Sequence, residues 1–168
     1  PQSYGHSHIL PEYLQPDTPA VSMPYSFMFD QLMKGGGVGF SVTKDNIHKI
    51  PLVDKKIDLK VIIDKDSKSY QDSLDMGATD KDEWLKNHSI KDLRYYRLPD
   101  TREGWVVANA HLIDMHFNGT NADGKTDLVL DMSDIREKGA KIKGFGGTAS
   151  GTMPLIEMLI DINSLLNS

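Results

Sequence analysis

The sequence predicts an α/β fold, or α+β if the chain is one piece of a larger protein, and three observations carry that prediction. Apolar, β-branched runs at 57–63 and 128–130, with a briefer one at 95–98, read as strands. Between and around them lie helical patterns that open near Ser22, Asp100 and Pro154. Two glycine-rich stretches, 34–40 and 144–151, punctuate the order of elements.

At 168 residues the chain suffices for one domain or for part of a longer protein. A hydrophobic content of 39% and a charged content of 26% describe an ordinary globular chain, and the net charge of −5 disfavours non-specific nucleic-acid binding, which needs clustered Lys and Arg. No apolar run approaches the ~20 residues that span a bilayer, and no signal segment opens the chain, so a cytoplasmic protein with no membrane partner is expected. The cysteine count is zero, which excludes disulfides, thiolate metal sites and thiol chemistry by this chain alone. The chain starts at Pro1 and stops at Ser168 inside a helical pattern, so an internal fragment is expected.

Taken in order, residues 1–21 carry Pro1, Pro11, Pro16 and Pro19 and read as an extended connection; His6 and His8 lack an evident third metal ligand. Ser22-Met23-Pro24 suits a helix start, and Tyr25, Phe27, Met28, Phe29, Leu32 and Met33 make that helix apolar on most sides. A short strand is expected at 38–42, a polar connection at 43–51 and another strand at 57–63. The Asp-, Lys- and Ser-rich stretch 64–91 fits two short helices, the second starting near Thr79 or Asp80. Asp100 with Glu103 forms a capping-box-like pair, and Trp105, Val106, Ala110, Leu112, Ile113 and Phe117 carry a helix to Gly119. His111 and His116 are five apart and do not share a face, so surface or hydrogen-bonded roles are expected for both. After a turn-like 118–125 and the strand at 128–130, Leu155, Ile156, Leu159, Ile162 and Leu166 form a closing amphipathic helix.

Residues 34–40 place four glycines in five positions between a helix and an expected strand. Such a run either admits a ligand against the backbone or merely stops the helix. It has neither the spacing nor the strand-to-helix context of a dinucleotide fingerprint or a P-loop. The second loop precedes a helix, whose free N–H groups favour an anion such as phosphate, with Arg136, Lys141 and Lys143 nearby; a connection without a ligand is the other reading. Asp131 and Asp134, three apart, are read as a cation or acid/base pair or, more simply, as caps.

Taken together, Met33-Lys34-Gly35-Gly36-Gly37-Val38-Gly39-Phe40, Ser133-Asp134-Ile135-Arg136 with Gly139, and Gly144-Phe145-Gly146-Gly147-Thr148-Ala149-Ser150-Gly151 resemble ribonucleotide reductase large chains. Tyr95-Tyr96-Arg97-Leu98-Pro99-Asp100-Thr101-Arg102-Glu103-Gly104-Trp105 is similar to the monomeric, adenosylcobalamin-dependent ribonucleoside-triphosphate reductases in particular. The resemblance spans nearly the whole chain. It implies part of a ten-stranded α/β barrel in which radical chemistry removes the 2′-hydroxyl of a ribonucleoside triphosphate. It also implies adenosylcobalamin as cofactor, a thioredoxin-like dithiol reductant and a deoxynucleoside triphosphate effector.

Carried over, the resemblance makes Gly36 and Gly37 the backbone against which substrate lies, and Arg136 and Lys143, with Ser22 beside them, the candidates for effector contacts. It implies three parts: 1–43 as a barrel segment with the substrate-facing strand, 44–132 as an inserted subdomain standing in for a dimer partner, and 133–168 as the effector loop with the following barrel helix. About ninety residues separate Val42 from Ile135, as in the monomeric branch. The chain departs from the family in having no cysteine for the thiyl radical or the reducing pair, so the isolated chain is expected to be inactive and to contain no catalytic residue. Two rivals stand beside this reading: a deoxynucleotide-binding regulatory module without catalysis, and an unrelated structural domain with glycine-rich turns.

Overall fold

The computed structural model describes residues 21–53, 55–117, 124–142 and 146–168. All but the last residue of the extended connection expected at 1–21, with its histidines, most of the turn at 118–125, Gly119 and Lys143 therefore lie outside the described residues. The elements are α1 (Met23–Met33), α2 (Lys44–Ile47), β1 (Asp58–Ile63), α3 (Tyr70–Asp75), β2 (Thr79–Asp80), α4 (Lys81–Leu85), β3 (Arg94–Arg97), α5 (Arg102–His116), β4 (Asp127–Asp131) and α6 (Met153–Asn167).

The four strands form one sheet in the order β2-β1-β4-β3, and every pairing is parallel. Parallel neighbours need crossovers, and helices supply them, so both faces are covered and the strands read as buried apolar runs. Val61, Ile63, Leu128 and Leu130 point to one face, where they meet Ala108, Leu112 and Met115 of α5 and Leu155, Ile156 and Leu159 of α6. On the other face Ile62 and Val129 are covered by Trp84 of α4, with Leu85, Leu93 and Tyr95 around it. Outside the first layer, α1 packs on α5 through Met23, Phe27, Phe29 and Met33 around Val106.

Local chemistry sets the element ends. Gly35 at φ 77° donates its N–H to Leu32 O, and Gly36 N–H reaches Gln31 O at 2.9 Å, so the glycine run begins as the C-terminal cap of α1. The helix start that the sequence suggests at Asp100 shifts by one residue: Thr101 is the N-cap, its hydroxyl accepting Gly104 N–H at 3.0 Å, because the Asp100 carboxylate is taken by Arg136. The α5 helix ends at His116. Asp80 caps α4 through Glu83 N–H, where the sequence placed a helix start.

Two expectations are corrected. Residues 38–42 join no ladder among the described residues, and Phe40 is 78% exposed and Val42 69%; a lone apolar segment without a neighbouring strand has no partner for its backbone groups. The stretch 43–51 is not a bare connection, because Thr43 accepts Asn46 N–H and caps the short helix α2.

Candidate functional site

In open parallel sheets ligands collect beyond the carboxyl ends of the strands. In this chain, the loops leaving β1 and β4, which are neighbours in the sheet, form a cleft of about 310 Å³ there. Asp66, Ser67 and Lys68 line one wall; Ser133, Ile135, Arg136, Glu137 and Ala140 line the other.

Ser133 on the cleft wall is pinned from below by Asp131, the fully buried last residue of β4. Its Oδ2 accepts Lys81 Nζ from α4 at 2.7 Å and the Tyr95 hydroxyl at 2.5 Å, while Oδ1 accepts Ser133 N–H at 3.0 Å and the Ser133 hydroxyl. Ser133 Oγ in turn accepts Asp64 N–H at 2.9 Å, which ties the end of β1 to the end of β4. Burial alone would raise the Asp131 carboxyl, but these donors outweigh it and hold the group below its ordinary value. Burial and the adjacent Asp131 charge push the Tyr95 phenol up, so it stays a donor.

Two arginine forks fix the wall that follows β4. Arg97 donates Nε and Nη2 to Asp134 at 2.6 Å each, and that pairing lowers the Asp134 carboxyl. Arg136 donates Nε to Asp100 Oδ2 at 2.6 Å and Nη2 to Asp100 O at 3.4 Å. The two carboxylates at 131 and 134 therefore serve neither as a cation pair nor as helix caps; each is spent on internal partners. Among the described residues no group of three His, Asp or Glu side chains could hold a metal ion.

The second glycine stretch folds back on itself, with Lys141 bridged to Thr148 and Gly139 N–H bonded to Ala149 O. Gly139, Gly146 and Gly151 all take positive φ, the demanding connection that the sequence left open beside a ligand loop. Helix α6 follows, and the hydroxyl of its first cap residue, Thr152, is buried against Ser73 Oγ at 2.7 Å rather than free for a ligand.

Of the sequence-predicted residues that are described, only Arg136 stands at the cleft. Gly36 and Gly37 lie at the C-terminal end of α1, which runs antiparallel to α5: Ser22 meets Asp114 near the C-terminus of α5, and Asp30 meets Arg102 at its N-terminus. The glycine run therefore leaves the fold on the same edge as the cleft. Ser22 does not reach it, because its N–H and hydroxyl both donate to Asp114, at 2.8 and 2.7 Å. His116 is buried between Lys55 O and Asn163 Oδ1, and His111 lies tilted against Tyr96, its ring held below the ordinary value by burial.

Sequence reasoning missed Lys68, Asp100 as an ion-pair partner, and the buried group around Asp131. Lys68 carries no local signal, since the β1–β4 pairing alone brings it to the cleft. Asp131 offered one: an acidic residue that ends the apolar run Leu128-Val129-Leu130 needs buried donors.

No helix among the described residues is long and apolar enough to cross a membrane. The chain is 64% identical over its whole length to the adenosylcobalamin-dependent ribonucleoside-triphosphate reductase of Levilactobacillus brevis, and 68% identical over 99% of its length to that of Lactobacillus gasseri. It spans 22% and 23% of those relatives, about a fifth of their length. A crystal structure of a B12-dependent (class II) ribonucleotide reductase superposes on 98% of this chain with a TM-score of 0.86 and 60% identity, again over 22% of that protein. The family model described as "B12-dependent ribonucleotide reductase, insertion domain" matches residues 57–166, from just before β1 to the end of α6. That match covers the greater part of the chain, which belongs to the insertion-domain family of the B12-dependent ribonucleotide reductases.

Proposed function

We propose that this chain is the part of an adenosylcobalamin-dependent ribonucleoside-triphosphate reductase that receives a regulatory deoxynucleoside triphosphate and presents glycine backbone to the substrate. The whole protein would reduce ribonucleoside triphosphates to their deoxy forms, with adenosylcobalamin as radical source and a thioredoxin-like dithiol as reductant. It would act as a monomer in the cytoplasm, the inserted segment replacing a partner subunit. Residues 1–43, 44–132 and 133–168 then differ in role, the last two sharing the core of the sheet.

The observation that carries this reading is the cleft beyond β1 and β4, with a guanidinium on one wall and Lys68 on the other. Its Arg136 is paired to a single carboxylate, and a polyphosphate offers the planar guanidinium more acceptor oxygens than Asp100 does. Lys143 of the following loop joins it in the proposal. A role for Ser22 would require displacing its bonds to Asp114. Gly37 leaves open space where a Cβ would stand, which suits close approach by a sugar or base. The cobalamin does not fit these residues: a cleft of about 310 Å³ cannot enclose a corrin ring, so no step is assigned to the cofactor here.

Equilibrium binding of deoxynucleoside triphosphates to the full-length protein tests the reading. The Arg136→Gln variant should bind them about tenfold or more weakly, as expected for loss of a charge-assisted fork. Unchanged affinity would remove the cleft from consideration. The self-contained core of the sheet favours a second reading, a regulatory module that binds nucleotide alone, and tight, base-selective calorimetric binding by the isolated chain would support it.

A further inference from the structure

The two glycine loops are far apart in sequence, yet two runs of polar contacts, joined through the backbone of residues 100–102, connect them. The first starts at Lys34, the residue before the first glycine loop, whose Nζ donates to Asp30 Oδ2 at 2.5 Å. Asp30 is fully buried, and its Oδ1 accepts Arg102 Nε at 2.9 Å. Two residues before Arg102, Asp100 accepts Arg136 through its carboxylate and its carbonyl oxygen, and Arg136 Nη1 reaches the carbonyl of Lys141 at 3.5 Å, at the foot of the second loop.

We propose that Asp100 and Arg102 are positioning residues that couple the cleft to the glycine run after α1, so that an anion taken by Arg136 is felt where Gly36 and Gly37 leave the fold. This rests on the reading of the cleft as a nucleotide site.

The turn between the two residues is suited to transmit a displacement rather than absorb it. Thr101 N–H bonds Pro99 O at 2.7 Å, Thr101 caps α5, and a Cβ on Gly104 would lie 2.5 Å from Pro99 O. Residues 99–104 are thus packed backbone to backbone and move as one body. At one end of this body, Arg136 holds Asp100. A polyphosphate in the cleft competes for the same guanidinium and releases that end. At the other end, Arg102 holds a carboxylate with no solvent access, so any shift of Arg102 must be followed by Asp30 or leave a buried charge short of a donor. Asp30 O also accepts the N–H of Lys34 in the last turn of α1, so the exit direction of the glycine run follows Asp30. A contact path becomes a coupling only when both ends bias the same element, and the 99–104 turn is that element.

The full-length reductase supplies the test, by measuring deoxynucleotide affinity and substrate KM with and without the deoxynucleotide. In Arg102→Gln, deoxynucleotide affinity and unstimulated activity should stay within about twofold of wild type, while the factor by which the deoxynucleotide changes KM falls toward one. Arg102→Lys, which can restore the charge pair, should recover part of that factor. Asp100→Asn should bind deoxynucleotide about threefold or more tightly, because the competing carboxylate is gone, and should also lose the KM response. Retention of the wild-type factor in Arg102→Gln, or weaker binding in Asp100→Asn, overturns the coupling. If Arg102→Gln fails to fold, Asp100→Asn and Arg102→Lys decide the matter by the same readouts. Arg136→Gln with unaltered deoxynucleotide affinity overturns the cleft reading itself, and that result is visible before any coupling is measured.

Discussion

Asp131 sits at 0% exposure with Lys81 Nζ 2.7 Å away and Lys81 itself only 15% exposed, so replacing the carboxylate by an amide strands a cation. Asp131→Asn is expected to destabilise the chain by roughly 2–4 kcal/mol, read as a lowered urea midpoint at pH 7. The pH dependence has a definite sign. The folded-state carboxyl lies below its ordinary value of 3.8, so the stabilisation is complete above that pH and is lost as pH falls through the folded value. Wild type should therefore lose stability below about pH 4 more steeply than Asp131→Asn does. Equal slopes would show that the donors around Asp131 do not favour its charged form.

At the scale of single elements, the glycine run separates into a cap and an open stretch. Gly35 lies at φ 77°, so Gly35→Ala should cost about 1 kcal/mol. Gly37 has an ordinary φ and nothing within 4 Å of an added Cβ, so Gly37→Ala should leave the melting temperature unchanged. A rise in substrate KM for Gly37→Ala in the full-length protein would then report substrate contact without a folding artefact; an unchanged KM would exclude it. Of the two readings open on sequence alone, the helix stop falls on Gly35 and Gly36, and Gly37 is the position left for the proposed ligand contact. Elements whose signal is local were legible: β1 from its β-branched run, α4 from Asp80, α6 from Pro154 and its apolar spacing. Elements that depend on distant partners were not. The two-residue β2 exists only because Ile62 and Ile63 pair with it, and the expected strand at 38–42 stays unpaired for want of a neighbour. Thr101 displaced Asp100 as cap because Arg136, thirty-six residues on, claims the carboxylate. The cleft was half legible: its arginine carried a motif, whereas its opposite wall depends on the β1–β4 pairing.

At the scale of the whole molecule, residues 133–168 complete the core rather than append to it. Leu155, Ile156 and Leu159 of α6 are at most 1% exposed against the sheet, Asn163 bonds buried His116, and Asn167 pairs with both backbone groups of Ile57 at 2.9 Å. A chain cut after Met132 is expected to lose cooperative unfolding and near-ultraviolet circular dichroism, since one sheet face would keep α5 but lose the cover of α6. A single Leu159→Ala substitution in the intact chain should cost about 2–5 kcal/mol. A cut chain that melts cooperatively would show that the first 132 residues hold a core of their own.

The central ladder joins residues 58–62 to residues 127–131, strands that are neighbours in space but sixty-nine positions apart in the chain. During synthesis β1 therefore emerges long before its main partner exists, and its Val61-Ile62-Ile63 run waits uncovered in the meantime. Sheets closed by such distant parallel pairings form slowly, and an unpaired β-branched run is where nascent chains associate wrongly. The lysines in and beside this strand, Lys60 within it and Lys55, Lys56 and Lys65 around it, are placed to keep it apart from its own kind until β4 arrives.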